Sequence, residues 1–509
     1  MPNLKTAKEK VAEAADLIVK AGTLADQHAN FSSTLETEIK PARLALNPEP
    51  PRLLAKKKYE AIDGAITAAG EKAKTHDYTG AGKALDTART LTTEAAALKD
   101  ADTKYTARQL EVKTQVDALL LSPGKTSVKC GTDITEAETA LTEAGTKATE
   151  LLYSEATTQL ETASLKSDTA DIKNTTGGTS APPSGTEAKL KALAGKPGGT
   201  KALDEIVSQL TTANHPDFVL AAFKARFDLT EAVLEGTETT AKNVIEMKKL
   251  YEVMTLVPDS HTRENPSFKK ITRKPAKPGE GSFYQGSEKN IVMQEGHPDS
   301  SHPRTVGDPT ELPGVDENCK PNTATPTPKF FAWNTLHEVG HALDDKKRYM
   351  SSNGSSGSHG GWTEYGGDIG AVANAVAGAF GIDADVIAKY MDSGAEPFFK
   401  PSNWAAMTTW AAAAKNDATP FPWDNGSACG KNVADGGLAI GGKIYHEAYP
   451  KVWVSYNAAA RKQGLTGYQF RAPGEWFSEL YAAYKSEKLK PSHPAKGWLD
   501  KLFGVKPVK

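Results

Sequence analysis

Cysteine is nearly missing from this chain: Cys130, Cys319 and Cys429 are three in 509 residues. At most one disulfide can form, with Cys319 and Cys429 the expected pair and free thiols the other outcome, so a disulfide framework is excluded. Net charge is nearly missing too. Lys and Arg number 61 against 63 Asp and Glu, a balance of −2, and so small a charge excludes the electrostatic footprint of a nucleic-acid or anionic-membrane binder. No apolar run approaches the ~18 residues of a membrane helix, so no membrane span is expected. The leading segment MPNLKTAKEKVAEAADLIVKAG carries charge throughout and lacks the apolar stretch of a classical signal peptide. Tryptophan is absent up to residue 332, and all eight lie between Trp333 and Trp498. Random placement would do this about twice in ten thousand trials, so the two ends of the chain belong to different domains.

What is present divides accordingly. Residues 1–170 are rich in Ala, Thr, Lys and Glu, and Leu4, Ala7, Val11, Ala14, Leu17 and Ile18 recur at helical spacing. An internal repeat of about 75 residues aligns 65–88 with 140–163 without gaps, pairing Ala69 with Ala144, Tyr78 with Tyr153, Leu85 with Leu160 and Ala88 with Ala163. An all-α region of helical repeats or a bundle is expected there. Residues 171–200, with NTTGGTSAPPSG and AGKPGGT, have the composition of a flexible linker. Helices are expected over 201–213, 216–227 and 229–256, and a small sheet over 267–295 from PSFKKITRK, GSFYQG and KNIVMQ. A Pro-rich loop follows at 302–328. SSNGSSGSHGGW (351–362) is small and polar enough to be expected as a mobile loop.

The segment FFAWNTLHEVGHALDD contains His337-Glu338-Val339-Gly340-His341. On a helix, residues four apart share a face about 5–6 Å apart, so both imidazoles can reach one metal ion at ~2.0–2.1 Å. Glu338 is placed to take a proton from a water at that metal. With 11 histidines in the chain, such a motif is expected by accident only about 0.01–0.02 times. A catalytic zinc takes a third protein ligand and leaves a position for water. Asp344 and Lys347 stand where a short-range third histidine motif would need Gly and His, so the ligand comes from elsewhere: His359, His446, Glu447, Glu475 or Glu479. GYQFRAPGEWFSELYAAYKSEKL favours Glu475, because Pro473-Gly474 opens a helix that puts Glu475 and Glu479 on one face. One carboxylate can then bind metal while the other orients a ligand histidine. Asp345 is a further candidate for that orienting role.

HEVGHALDD followed by Tyr468, Glu475, Phe477 and Glu479 as Y-x6-E-x-F-x-E resembles the catalytic domain of anthrax lethal factor and related bacterial toxin metalloproteases. The resemblance rests on those two motifs and extends at most over about 240–509. It implies a zincin-like catalytic domain within 201–509, mostly helical with a small sheet, giving an α+β chain. It implies one zinc per chain on His337, His341 and Glu475, with Glu338 as general base and Tyr468 as transition-state stabiliser. His446, in HEAY, is the alternative stabiliser. The function so implied is a zinc-dependent endopeptidase acting on a protein or peptide, as a bacterial toxin or effector. Such a chain would be made in the bacterial cytoplasm and then secreted or injected, with residues 1–200 engaging delivery machinery. Two other readings stand beside it: a non-catalytic zinc protein whose helical region binds a partner, and a zinc amide hydrolase acting on a cell-wall or acyl-amide substrate. Manganese or cobalt can occupy an N/N/O site in vitro.

Overall fold

The computed structural model describes residues 2–47, 53–121, 130–176, 184–210, 216–235, 241–275, 281–294, 324, 330–380, 383–385, 388, 423–424, 427–428, 431–432 and 437–504. Cys319, Cys429 and the Pro-rich stretch apart from Ala324 lie outside these residues. Among the described residues no helix is long and apolar enough to cross a membrane. The chain is α+β, with two compact units: residues 1–175 with 196–199, and 176–195 with 200–509.

The first unit is helical: α1 (Pro2–Ser33), a short π-helical stretch, α2 (Lys40–Ala45), α3 (Leu53–Lys74), α4 (Tyr78–Leu120), α5 (Gly131–Thr149) and α6 (Tyr153–Thr176). The repeat is visible in its backbone. Residues 65–88 span the α3–α4 corner and 140–163 the α5–α6 corner. His76 and Leu151, at matching positions, both turn the chain with positive φ (58° and 61°). At both corners the amide after the turn reaches back to a lysine carbonyl, Asp77 to Lys72 and Leu152 to Lys147. This is the six-residue closure that ends a helix on a left-handed residue. The matched Ala69/Ala144, Leu85/Leu160 and Ala88/Ala163 are all buried, so the small residues mark where helices approach closely. Between α5 and α6, Lys173 Nζ meets Asp133 Oδ2 at 2.7 Å with both side chains 5 % exposed.

The second unit begins with α7 (Thr186–Ala194), α8 (Gly199–Ser208), α9 (Pro216–Phe227), β1 (Glu231–Leu234) and α10 (Ala241–Thr255). Two expectations are corrected here. The stretch expected as a linker contains α7, with Leu190 and Leu193 buried, because a short amphipathic run outweighs the surrounding Gly and Pro. The single helix expected over 229–256 is a strand followed by a helix. Asp228 (φ 54°) stops α9, and Glu231–Leu234 pair in parallel with Lys270–Arg273, so sheet pairing overrides helical periodicity.

Strands β2 (Lys270–Arg273), β3 (Phe283–Gln285) and β4 (Asn290–Met293) complete a sheet of order β1-β2-β4-β3, with β3 antiparallel to β4. These three strands fall within the small sheet expected from sequence. α11 (Phe330–Lys347) packs on β3 and β4. Beyond it come α12 (Tyr349–Asn353), β5 (Thr363–Gly366) and α13 (Ile369–Phe380). The 351–362 stretch is ordered, which corrects the mobile-loop expectation. His359 is buried and accepts or donates at both ring nitrogens, to Tyr349 Oη (2.8 Å) and Ser356 Oγ (2.7 Å). Strands β6 (Trp423–Asp424), β7 (Ser427–Ala428), β8 (Lys431–Asn432), β9 (Gly437–Ile440), β10 (Lys443–Tyr449) and β11 (Val452–Asn457) follow. They form an antiparallel sheet β5-β11-β10-β9-β6 and a β7-β8 pair. α14 (Pro473–Lys485) and α15 (Pro494–Leu502) close the unit. Trp362, Tyr456 and Phe470 pack edge and face with Trp476 of α14, a cluster that takes two of the eight late tryptophans.

Candidate metal centre

Two helices build the site. α11 is buried through Phe331, Trp333, Leu336, Val339, Ala342 and Leu343 and through His337 and Glu338 as well, and the i, i+4 spacing puts His337 and His341 on one face. α14 starts at Pro473, whose fixed φ suits the first helical turn, and Glu475 stands in that turn, where the helix dipole favours a carboxylate. The helices meet at Gly340: a Cβ there would lie 2.8 Å from the Ser478 Cα. Only glycine permits this approach, which brings Glu475 to the histidines.

His337 Nε2 and His341 Nε2 lie 3.0 and 3.1 Å from Glu475 Oε2, and 3.1 Å from each other. This is the one cluster of three such side chains able to hold a metal among the described residues. On its far side His337 presents Nδ1 to Glu479 Oε1 at 3.0 Å, and Thr466 Oγ1 donates to the other Glu479 oxygen at 2.8 Å. With the ring proton on Nδ1, His337 Nε2 turns a lone pair towards the Glu475 carboxylate and the second imidazole. Three electron-rich atoms at such separations repel unless a cation lies among them. Tetrahedral zinc with bonds of ~2.0–2.1 Å would set its ligand atoms about 3.3–3.4 Å apart, a few tenths of an ångström from the spacing found, so the donor set fits zinc. Burial opposes charge on His337, yet its hydrogen bonds to Glu475 and Glu479 outweigh it and raise its pKa well above the usual value. Burial likewise works against charge on Glu475, but His341 and His337 overcome it and hold the carboxyl well below the ordinary range.

The surrounding residues divide into those that reach the site and those that do not. Glu338 is buried, and its charge is felt by both His337 and Tyr468. The Tyr468 ring lies 5.9 Å from that of His337. Burial, then the nearby Glu475, push the Tyr468 pKa up, so the phenol keeps its proton. Two neighbours went unread in the sequence. Tyr449 Oη donates to Glu475 Oε1 at 2.9 Å, gripping the oxygen that faces away from the histidines. Arg471 Nη1 donates to Tyr468 Oη at 3.2 Å and its Nε to the Ala448 carbonyl at 3.2 Å, while its guanidinium lies 4.7 Å from the Tyr449 ring centre. The only available signal was Arg471 standing three residues after Tyr468, and that spacing has many innocent causes.

Four candidates lie elsewhere. Asp345 accepts from Tyr284 Oη at 2.8 Å and ties α11 to β3, so it orients no ligand histidine. Its neighbour Asp344 lies on the His341 side: both side chains flank Gly474, and Asp344 accepts from the Met350 amide at 2.8 Å. Burial lifts the Asp344 carboxyl to about 6. His446 is buried in the β10 face against Tyr456, and burial together with Arg461 lowers its pKa to about 4, so its ring is neutral at pH 7. Glu447 accepts from the Lys451 amide at 2.6 Å and closes the β10–β11 turn, and His359 belongs to the Tyr349–Ser356 network. No family model, curated protein or solved structure matches this chain.

Proposed function

We propose that this chain is a zinc-dependent endopeptidase whose catalytic part is zincin-like, cleaving a protein or peptide by activated water. The observation that carries the reading is the triangle of His337 Nε2, His341 Nε2 and Glu475 Oε2 at 3.0–3.1 Å, with the buried carboxylate of Glu338 beside it. A purely structural zinc has no use for that carboxylate. Zinc held there supplies a Lewis acid that polarises the scissile carbonyl and lowers the pKa of water towards ~7. Glu338 accepts the proton of the attacking water and later passes it to the departing amide nitrogen. Tyr468 Oη accepts from Arg471 Nη1, which leaves the phenol hydrogen free to donate to the carbonyl oxygen as negative charge builds on it. Glu479 holds His337, and Tyr449 holds Glu475, so the ligands are oriented before substrate arrives. The lethal factor resemblance extends the proposal to a bacterial toxin or effector, with the helical unit serving its delivery.

The test is zinc stoichiometry together with cleavage of a mixed peptide library, comparing wild type with Glu338→Gln. One zinc in each protein and cleavage by wild type alone supports the proposal. Zinc in both without cleavage by either turns the reading to a non-catalytic zinc protein. A wild type that binds no metal refutes it.

A further inference from the structure

Helix α1 is the largest feature that the site does not use. Every residue from Leu4 to Asn30 is exposed. The helix is anchored at its C-terminal end, where His28 Nδ1 meets Tyr78 Oη at 3.2 Å and Phe31 packs beside the Ile39–Leu85 core. Helices in proteins draw most of their stability from packing an apolar face, and α1 has such a face standing in water. Leu4, Val11 and Ile18 are 68, 70 and 72 % exposed. They recur every seven residues, and Ala7, Ala14 and Ala21 recur between them at the complementary heptad position. Lys5, Glu9, Glu13, Asp16 and Lys20 fall on the opposite side.

We propose that this seam pairs antiparallel with the same seam of a second copy of the chain. In one register Leu4 stands opposite Ala21 of the second copy, Ala7 opposite Ile18, and Val11 opposite Ala14, so every layer sets a large side chain against a small one. The arrangement is isologous, as a two-fold dimer demands. A parallel, in-register pair would instead stack alanine on alanine in alternate layers and leave voids. The flanks agree: Lys8 borders Ala15 of the second copy and Lys10 borders Leu17, so no like charges meet. The mixed charges of the outer face also distinguish this helix from the Lys/Arg-rich helices that lie on membranes. From Leu4 to Ala21 the seam runs about 27 Å along a helix about 10 Å wide, a footprint of roughly 500–600 Å² in total. That is below the size of a standard specific interface, so a weak, reversible dimer with Kd of about tens of micromolar is expected. The inference does not depend on peptidase activity.

Sedimentation velocity of the full-length protein from about 2 to 200 µM should show a monomer–dimer equilibrium. Ile18→Glu should weaken it by roughly 100-fold or more, with circular dichroism reporting unchanged helix content. A spin label on Thr23→Cys, with the native cysteines replaced by Ser, should report a separation near 32 Å in the antiparallel pair and under about 20 Å in a parallel one. A protein that stays monomeric throughout, a dimer indifferent to Ile18→Glu, or the short label distance each overturns the proposal. A monomer that binds neutral lipid vesicles through α1 overturns it in favour of a membrane surface.

Discussion

Replacing Gly340 by alanine is the sharpest probe of how the metal centre is held. The new methyl would begin 2.8 Å from the Ser478 Cα, where ordinary contact starts at 3.4 Å, so α11 and α14 must part by at least 0.6 Å. The obstacle is backbone, which cannot rotate away. Overpacking of this kind costs about 1–3 kcal/mol, against about 1 kcal/mol returned by alanine's better helix propensity. The net loss of stability is therefore small, up to about 2 kcal/mol. Metal binding should suffer more. Ser478 lies one turn beyond Glu475 on the same helix, and Gly340 lies between His337 and His341, so the separation moves ligand from ligand. Metal–ligand distances tolerate only about 0.2 Å, and zinc affinity should fall roughly 10- to 100-fold, equivalent to about 1.4–2.8 kcal/mol. Competition with a chromophoric chelator measures the affinity, and thermal unfolding with and without zinc measures the stability. Gly64→Ala in α3, where an added Cβ meets nothing within 4 Å, is the control and should stabilise slightly. Wild-type zinc affinity in Gly340→Ala, with the same small gain in Tm as Gly64→Ala, would refute the close helix contact and the reasoning built on it.

Other outcomes follow from single contacts. Glu479→Ala removes the partner of His337 Nδ1 and should lower zinc affinity about 10- to 100-fold without unfolding the chain; unchanged binding in a chelator titration would contradict that role. Tyr468→Phe should lower kcat by about 10²-fold or more, and Arg471→Gln should lower kcat with little change in KM. In the Tyr468→Phe background Arg471→Gln should add almost nothing, whereas additive losses would separate the two residues. Asp133→Ala removes the carboxylate that meets the buried Lys173 ammonium and should cost about 3–5 kcal/mol in urea unfolding of the helical unit; a loss below about 1 kcal/mol would mean that water reaches the pair. His261 is held near 3 by burial, with help from Lys485, Lys347 and Lys346, and its Nδ1 meets Tyr481 Oη. Between about 3 and 6.5 the unfolded chain therefore binds a proton that the folded chain refuses, so stability falls as pH drops through that window. His261→Gln should flatten the change in Tm between pH 7 and pH 4.5, and an equal slope in both proteins would count against it.

The centre was readable where its spacing is local and opaque where it is not. His337, Glu338 and His341 lie within one helical turn of each other, and Glu475 and Glu479 within another, so periodicity alone places each set on a face. Tyr449 and Arg471 arrive from a strand end and a turn, and nothing in the spacing of either announces where its side chain will rest. The same limit explains Asp345. One residue decides whether a side chain on α11 looks towards Tyr284 or towards His341, and a heptad-scale reading does not resolve that. The repeat of 65–88 in 140–163 was legible because duplication wrote it twice, but the left-handed His76 and Leu151 at its corners were not, since neither residue type announces a positive φ. β1 was not, because Glu231–Leu234 become a strand only by lying beside Lys270–Arg273, a partner distant in sequence. The ordered 351–362 turn was hidden for a related reason: its small polar residues gain their structure from Tyr349 and His359.

The ligands come from two segments 138 residues apart, His337 on α11 and Glu475 on α14. An unfolded chain carries the two histidines but no third arm within reach, and closing so long a loop is an entropic cost that the folded unit has already met. On the proposed function, metal capture would thus be a late event, completed when α11 and α14 dock. Since whatever binds only the folded form stabilises it, an ion bound there would fasten α11 to α14, and its removal would loosen them. A chain kept extended would hold the histidines and the glutamate too far apart to share one ion, and the centre would form only on folding.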